Sequence, residues 1–435
     1  MVRVGRIVAF GVAVLALGLA GSLAGTEPSA RAANSPAEVG VTAKTIRIAV
    51  IADVDNSIIP GLFQPTVDGV RGAVKLINGN GGIAGRKLVI DFIDSKLNPT
   101  EARNAIIKAC QQDFAMVGTA AVFLSVVTDL TTCPNSKGEP IGIPDFGAVV
   151  AGTPEACAPT SFPLLGAQVI CDTRDSHPQT YQGYRGAGRY LVKKYGNLHG
   201  AYVSGSDTAD IAKASQVLEL AMQSAGIKAD QDVAVSSRDP QSAYTPIVAK
   251  MKQDGSNFAY GGAQPLAFRQ EAALQGLSSD VVWLCNSTCY STSFAAGGSA
   301  SEGEYVSLPF LPFEDAGKDK AVTTFVNAVG KDKVENLSLY GYAATLVFRD
   351  ALEHAVQKGG VNTLTRAAVI DGAKSLHAFD AGGLVGTTDI GNKKISSCFV
   401  LIQLHDGKWS RVWPKKAGGF DCDPANYVSI KHDFG

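Results

Sequence analysis

The residues of this sequence best suited to chemistry are its eight cysteines. They are Cys110, Cys133, Cys157, Cys171, Cys285, Cys289, Cys398 and Cys422. An even number of cysteines in an exported chain is typical of disulfides, and we expect each cysteine to pair with its neighbour in the sequence, although many other connectivities are open. The spacing argues against a metal site, because C-x-x-C and H-E-x-x-H do not occur and the six histidines are scattered singly. The closest pair, Cys285 and Cys289, is either a loop staple, which we favour, or a redox-active bridge.

A glycine-rich segment at residues 77–88 is the most conspicuous local motif and reads INGNGGIAGRKL. Such a segment binds phosphate when it follows a strand and opens a helix. Here the order is reversed, because a helical pattern ends at Asn78 and a β-rich run opens at Lys87. The glycines therefore predict a helix C-cap and a tight return turn. Neither G-x-x-x-x-G-K-[ST] nor G-x-S-x-G occurs, which removes the simplest NTPase and hydrolase hypotheses.

The beginning of the chain has the layout of a secretory signal peptide, residues 1–32. Arg3 and Arg6 precede an apolar stretch at 7–19, and small residues with an A-x-A-like site at 30–32 follow. The apolar stretch is shorter than the ~20 residues of a membrane span. No cysteine follows it at the position of a lipid anchor, so we expect a cleaved signal and a periplasmic or extracellular protein. The 39 basic and 40 acidic residues leave no positive excess for binding a nucleic acid.

Short β-rich runs and longer helical periods alternate along the first third of the chain. The pattern predicts strands at 45–52, 87–93, 114–118 and 141–143, and helices at 65–78 and from Asn98 onward. Alternation at this spacing indicates right-handed βαβ crossovers and a parallel sheet that is covered on both faces.

The alternation restarts after residue 178, which indicates a second domain. The predicted helices are 179–195, 211–225, 246–253, 266–274, 319–331 and 339–358. The predicted strands are 200–204, 233–236, 258–261, 281–285 and 305–308, followed by a hairpin of 398–404 and 409–413. Residues 157–178 lack the Gly/Ser repeats of a flexible linker, so we expect two rigid lobes.

The order of several short motifs carries a family resemblance. They are I-R-I-A-V at 46–50, I-N-x-x-G-G-I-x-G-x-x-L at 77–88, K-L-V-I-D-F-I-D at 87–94, N-P-T-E-A at 98–102, F-A-M-V-G at 114–118, F-A-Y-G-G at 258–262, Y-G-Y-A-A at 340–344 and F-D-A-G-G-L at 379–384. Together they resemble the type I periplasmic binding proteins, the branched-chain amino-acid-binding (Leu/Ile/Val-binding-like) solute receptors of ABC importers. The resemblance spans about residues 45–410.

The resemblance implies an α/β fold of two doubly wound, Rossmann-like lobes with a ligand in the cleft between them. It places three chain crossings near 162–180, 305–310 and 380–390. The implied lobe 1 is 45–164 plus 308–385, and the implied lobe 2 is 165–307 plus 386–435. A protein of this kind has no catalytic residues and no cofactor or metal, acts as a monomer, and hands a small molecule to a membrane permease. The family layout also places the C-terminal tail around Cys422 away from the cleft.

Ligands of doubly wound sheets lie at the carboxyl ends of the strands, beside helix N-termini. With the family alignment, this predicts twelve ligand-binding residues: Asp55, Asn56, Ala121, Val122, Phe123, Gly147, Ala148, Ser206, Asp207, Ala263, Gln264 and Ser287. Hinge closure is expected to bring Ala121, Val122, Gly147 and Ala148 of one lobe against Ser206, Asp207, Ala263 and Ser287 of the other.

Two positions depart from the family pattern and affect the expected ligand. Val122 has no hydroxyl to hold a ligand carboxylate. The position of the acid that binds a ligand ammonium falls on residues 286–288, Asn-Ser-Thr, so Asp55 or Asp207 would have to replace it. The expected ligand is therefore amino-acid-like, or a small carboxylate, an amide or a more apolar solute.

Two other functions stay open at this point. The first is a sensory receptor component of the same fold. A membrane-anchored receptor would need a second apolar stretch of ~18 residues, which the sequence lacks. The other is an exported α/β enzyme, which would need a nucleotide-binding loop after the first strand, whereas residues 53–57 contain no glycine.

Overall fold

The structure, a computed structural model, describes residues 38–434 apart from 125, 151, 278 and 363. The predicted signal peptide, residues 1–32, lies outside the described residues. Within the described range, no helix combines the length and the apolar character that crossing a membrane would require.

Strands and helices alternate along most of the described chain. The strands are β1 (Thr45–Ala52), β2 (Lys87–Asp94), β3 (Ala115–Ala120), β4 (Asp145–Val149), β5 (Gln179–Tyr184), β6 (His199–Gly205), β7 (Lys228–Val235), β8 (Phe258–Gly261), β9 (Val282–Cys285), β10 (Tyr305–Leu308), β11 (Val400–His405), β12 (Lys408–Trp413) and β13 (Tyr427–His432). The α-helices are α1 (Gln64–Gly79), α2 (Pro99–Gln112), α3 (Thr128–Thr131), α4 (Thr153–Ala156), α5 (Gly186–Tyr195), α6 (Ala209–Ser224), α7 (Thr245–Asp254), α8 (Pro265–Leu274), α9 (Thr292–Ala295), α10 (Lys320–Val329), α11 (Asn336–Gly359) and α12 (Arg366–Lys374).

The first sheet is parallel, with the strand order β2-β1-β3-β4. Its central strand β1 is buried on both faces. Ile48 and Val50 belong to the core cluster that contains α1 and α11, whereas Ala49 and Ile51 belong to the cluster that contains α2. A strand covered on both faces is a nearly continuous apolar run, which is why β1 could be predicted to the residue.

The second sheet has the strand order β12-β11-β10-β9-β8-β6-β7. The strands from β7 to β10 run parallel, and the β11–β12 hairpin adds an antiparallel edge. Tyr202 of β6 packs in the cluster with α5, and its neighbours Ala201 and Val203 pack in the cluster with α7 and α8. The expected α/β fold class is therefore confirmed, as is the hairpin turn that pairs His405 with Lys408.

The predicted helix 179–195 is wrong over its first half. Residues Gln179–Tyr184 form β5, which pairs antiparallel with β13, and α5 begins only at Gly186. β13 comes from the far end of the chain, so local spacing contains no signal for this pairing. No strand was predicted at β13, although its sequence YVSIKH contains the apolar residues Val428 and Ile430 in alternation.

The predicted strand 141–143 is also wrong, because β4 runs from Asp145 to Val149. Asp145 is the first residue of the strand although it is an acid. Its buried carboxylate accepts hydrogen bonds from the hydroxyls of Thr119 and Ser161, at 2.6 and 3.0 Å. A buried acid with such partners is compatible with a strand interior.

The four neighbouring cysteine pairs are confirmed as disulfides. They join Cys110 to Cys133, Cys157 to Cys171, Cys285 to Cys289, and Cys398 to Cys422. The first bridge lies beside Arg366, which is fully buried. The Arg366 guanidinium donates hydrogen bonds to the backbone carbonyls of Cys110, Asp113, Phe114 and Pro134. Arg366 therefore ties α12 to the loops around that disulfide.

Aromatic side chains connect elements of the two sheets on one side of the molecule. The Tyr290 ring, after β9, stacks on Phe313 at 4.8 Å, and Phe310 packs against Tyr340 of α11 at 5.6 Å. These residues belong to the largest core cluster, which contains residues of β1 as well as β10 and β11. The described chain belongs to one compact unit. The lobe boundaries given by the resemblance therefore stay a prediction.

Candidate functional site

A cavity of ≈ 870 Å³ lies where the carboxyl ends of strands from both sheets come together. The first sheet contributes the end of β4 and the residues after it, 147–150. The second contributes Gly262 after β8 and residues 286–288 after β9. Residues from the segments 163–169, 307–309 and 385–399, which connect elements of the two sheets, complete part of the wall. This is the position that doubly wound sheets offer to a ligand.

Ser287 links the two sheets at the cavity wall. Its hydroxyl and that of Tyr340 on α11 are 2.7 Å apart, and its carbonyl accepts a hydrogen bond from Asn336 Nδ2, also at 2.7 Å. The Cys285–Cys289 disulfide closes the loop that carries Ser287. Burial raises the pKa of the Tyr340 phenol to about 12, so it stays protonated at neutral pH and can donate to Ser287.

Helix α6 supplies one long wall of the cavity. Its N-cap is Thr208, whose hydroxyl accepts a hydrogen bond from Ile211 N at 3.2 Å. The residues that line the cavity from this helix are Asp210, Ile211, Lys213, Ala214, Ser215, Val217 and Leu218. Their spacing of three and four residues places most of them on one helical face.

Three of the lining residues are charged: Asp210, Lys213 and Glu335. Asp210 also marks a close approach between elements of the two sheets. A Cβ added at Gly152, which follows β4, would lie only 3.2 Å from Asp210 Oδ2. A side chain at position 152 would therefore require the Asp210 carboxylate to shift by a few tenths of an ångström.

Two buried acids stand behind the wall at Gly147. A Cβ on that glycine would lie 3.9 Å from Asp145 Oδ2 and 3.9 Å from Glu155 Oε1. Burial raises the pKa of Asp145 to about 6, and burial beside Asp145 raises the pKa of Glu155 well above its ordinary value. At neutral pH the pair therefore carries less negative charge than two free carboxylates.

Three of the twelve predicted ligand residues, Gly147, Ala148 and Ser287, line this cavity. Gln264 lines a separate cavity of ≈ 390 Å³ at the start of α8. Its backbone has φ +36°, and its side-chain amide donates to the carbonyls of Ser236 and Asp239 at 3.1 and 2.8 Å.

The other predicted ligand residues from the first sheet do not line this cavity, and several of them form hydrogen bonds elsewhere. Asp55 N donates to Asp94, and the Asn56 side chain closes its own turn with Ile58 and Ile59. The loop Ala121, Val122, Phe123 follows β3. The expected backbone donor at Val122 is already used, since it donates to Asp53 Oδ2 at 2.8 Å.

The other second-sheet candidates are also off the cavity wall. Ser206 is exposed, and its backbone N–H donates to Val235. The carbonyl of Ala263 accepts from the Tyr244 hydroxyl at 2.7 Å. Partial burial acts to raise the pKa of Asp207, but hydrogen bonds from Ser236 and Ser237 outweigh it and hold that pKa below its ordinary value. The ligand contacts therefore stay a prediction, and the structure brings only three of them together here.

Sequence reasoning missed the face of α6 and the tyrosines Tyr184, Tyr260 and Tyr340 of the cavity wall. A signal for α6 was present, because Asp210, Ile211, Ala214 and Leu218 repeat at helical spacing directly after a predicted strand end. Of the C-terminal disulfide, Cys398 lines the cavity and Cys422 does not, so the expected position of the tail around Cys422 away from the cleft stays a prediction.

One group of potential metal ligands occurs among the residues that the structure describes: Cys285, Cys289 and Glu304, within 4.8 Å of one another. The two sulfurs are joined in a disulfide, whereas metal binding by cysteine needs free thiolates.

Two doubly wound sheets with a cavity at their facing strand ends define the class of two-lobed α/β ligand-binding proteins. The model of the periplasmic binding protein family matches residues 45–408. The chain therefore belongs to this family, and its fold is that of the type I periplasmic binding proteins. Membership of this family gives the chain a general solute-binding role outside the cytoplasm. Comparison with curated protein sequences finds no match.

Solved structures show the same fold at low sequence identity. A fatty acid ABC transporter substrate-binding protein from Thermomonospora curvata has a TM-score of 0.66 and 16% identity, over 86% of this chain and 92% of that chain. A branched-chain amino acid transporter substrate-binding protein from Streptococcus pneumoniae, in complex with isoleucine, has a TM-score of 0.65 and 15% identity, over 85% and 99%. A solute-binding protein from R. palustris, in complex with benzoate, has a TM-score of 0.60 and 16% identity, over 85% and 95%.

Proposed function

We propose that this protein is the exported, monomeric solute-binding receptor of an ABC importer, which encloses a small organic solute and presents it to a membrane permease. The observation that carries the proposal is the cavity at the facing strand ends, which both sheets and the segments between them line. A cavity of ≈ 870 Å³ falls within the range of about 300–1,000 Å³ typical of ligand pockets.

Ligand capture proceeds by hinge closure. The elements that would meet are α6, at Asp210, and the segment after β4, at Gly152, which approach each other beside the cavity. A solute that touches both sides adds contacts only when the sides are together, so its binding favours the closed arrangement. The permease then distinguishes the loaded protein by this shape.

The solute is a small carboxylate or amide in preference to a zwitterionic amino acid. The two acids that sequence reasoning offered for a ligand ammonium, Asp55 and Asp207, do not line the cavity. The two acids that do, Asp210 and Glu335, lie at helix N-termini whose dipoles already stabilise their charge. The structurally similar proteins are described with ligands as different as isoleucine, benzoate and fatty acid. Structural similarity alone therefore does not identify the ligand of this chain.

A thermal-shift screen of the mature protein against carboxylates, amides and amino acids tests the receptor function. A ligand present at 100 times its Kd should raise the free energy of unfolding by about 2.7 kcal/mol. Two exposed threonines after β9 provide matched variants: Thr288→Trp inserts a bulky ring at the cavity, whereas Thr292 is outside both cavities described above. We expect Thr288→Trp to lose the shift and Thr292→Trp to keep it. Indifference to every class of compound, or equal binding by both variants, would contradict the proposal.

A further inference from the structure

The cavity has one polar and one apolar end along α6. Asp210 and Lys213 line it near the helix N-terminus, and Val217 and Leu218 line it two turns further on. At 1.5 Å per residue, the wall from Asp210 to Leu218 is about 12 Å long, and the part beyond Lys213 covers about 8 Å of it. The head group of an amino acid is too short to contact the whole of this wall, whereas an extended apolar group can contact it along its length.

The apolar end reaches into a hydrophobic cluster and does not stop at the strand ends. Ala156, Val169, Tyr181 and Val217 all line the cavity, and all four belong to one core cluster. Their side chains are at most 7% exposed. An apolar group that enters here leaves water almost completely, which is favourable in proportion to the buried area.

Lys213 is the charged lining residue whose charge is least compensated. Asp210 lies in the first turn of α6 and Glu335 is the N-cap residue of α11, where the positive end of each helix dipole stabilises a carboxylate. Lys213 lies near the same end of α6, where the dipole disfavours a cation. It has no hydrogen bond or ion pair with any residue in the described part of the chain. An anionic ligand group would supply the missing partner.

We propose that the solute is a lipophilic monocarboxylate, with its carboxylate paired to Lys213 and its apolar body laid along α6 toward Val217 and Tyr181. This inference rests on the proposed solute-binding function and specifies its ligand. A free amino acid fits less well, since it offers a short side chain to the long apolar wall.

Calorimetric titration of the mature protein with butanoate, hexanoate, octanoate and decanoate tests the apolar end. Each added methylene should raise affinity about fourfold until the wall is filled. An affinity independent of chain length would overturn the proposal, as would leucine binding more tightly than decanoate.

Two variant pairs test where the ligand lies. Lys213→Gln should weaken decanoate binding about 10- to 100-fold and leave decanol binding within about twofold, whereas Lys193→Gln, at an exposed lysine of α5, should change neither. Ala214→Phe, on the cavity wall, should weaken decanoate more than butanoate. Ala212→Phe, on the same helix but off that wall, is its control. Equal effects of the two members of either pair would overturn the proposed placement.

Failure of this inference is distinguishable from failure of the receptor function. Binding of a different solute class that Thr288→Trp abolishes would refute the lipophilic carboxylate and retain the receptor. If the wild-type protein binds no class of solute, both the lipophilic carboxylate and the receptor function are refuted.

Discussion

The contact between Ser287 and Tyr340 gives a sharp test of how the two sheets are joined at the cavity. The two hydroxyls are 2.7 Å apart, and the residues are 8% and 6% exposed. Removing one partner leaves the other hydroxyl buried without a hydrogen bond, which costs about 1–3 kcal/mol. Ser287→Ala and Tyr340→Phe should each lower the free energy of unfolding by that amount. The double variant leaves no orphan hydroxyl, so its loss should be smaller than the sum by about 1–2 kcal/mol.

Urea unfolding of the four proteins of this double-mutant cycle, followed by circular dichroism, measures the coupling. The hydrogen bond from Asn336 to the Ser287 carbonyl involves backbone and persists in all four. Tyr190→Phe serves as control, because the Tyr190 hydroxyl has no hydrogen bond to another described residue, and its loss should change stability by less than about 0.5 kcal/mol. A double variant that loses the full sum of the two single losses would refute the contact.

Three further predictions concern stability and the site. Arg366→Met should lower the free energy of unfolding by at least about 3 kcal/mol in urea, because it strands buried carbonyls; wild-type stability would contradict this. Burial raises the pKa of Asp145 to about 6 and that of Glu304 to about 7, so the folded state retains protons that the unfolded chain releases near pH 4. The free energy of unfolding should therefore fall by up to about 3 kcal/mol per group between pH 4 and 7. Asp145→Asn and Glu304→Gln should each make the free energy of unfolding depend less on pH. An unchanged pH dependence in these variants would refute the raised pKa values. Replacing both Cys398 and Cys422 by Ser should cost about 3 kcal/mol in stability and also weaken solute binding, because Cys398 lines the cavity; unchanged affinity would show that the bond does not shape the site.

The alternation of apolar strands and amphipathic helices was sufficient to predict most elements of both sheets. β1, β8 and β10 were predicted to the residue, since a strand buried on both faces has an unmistakable apolar run. β5 and β13 were not predicted, because each pairs with a strand that lies more than half the chain length away. Local periodicity reports on burial, not on distant pairing.

The site was less predictable than the fold. Strand ends together with the family alignment indicated Gly147, Ala148 and Ser287, which line the cavity. The α6 wall depends on how that helix is tilted toward the cleft, and its residues also fit an ordinary amphipathic surface helix. Asp207 illustrates the converse, because its carboxylate follows a strand end yet is held by Ser236 and Ser237.

Small-angle X-ray scattering of the mature protein, with and without a saturating ligand from the thermal-shift screen, tests the central claim most directly. A solute enclosed between the two sheets should draw α6, at Asp210, toward the end of β4 and reduce the radius of gyration. The Thr288→Trp variant, which is expected not to bind, should show no change under the same conditions. A radius of gyration that stays constant at demonstrated saturation of the wild-type protein would contradict capture by closure.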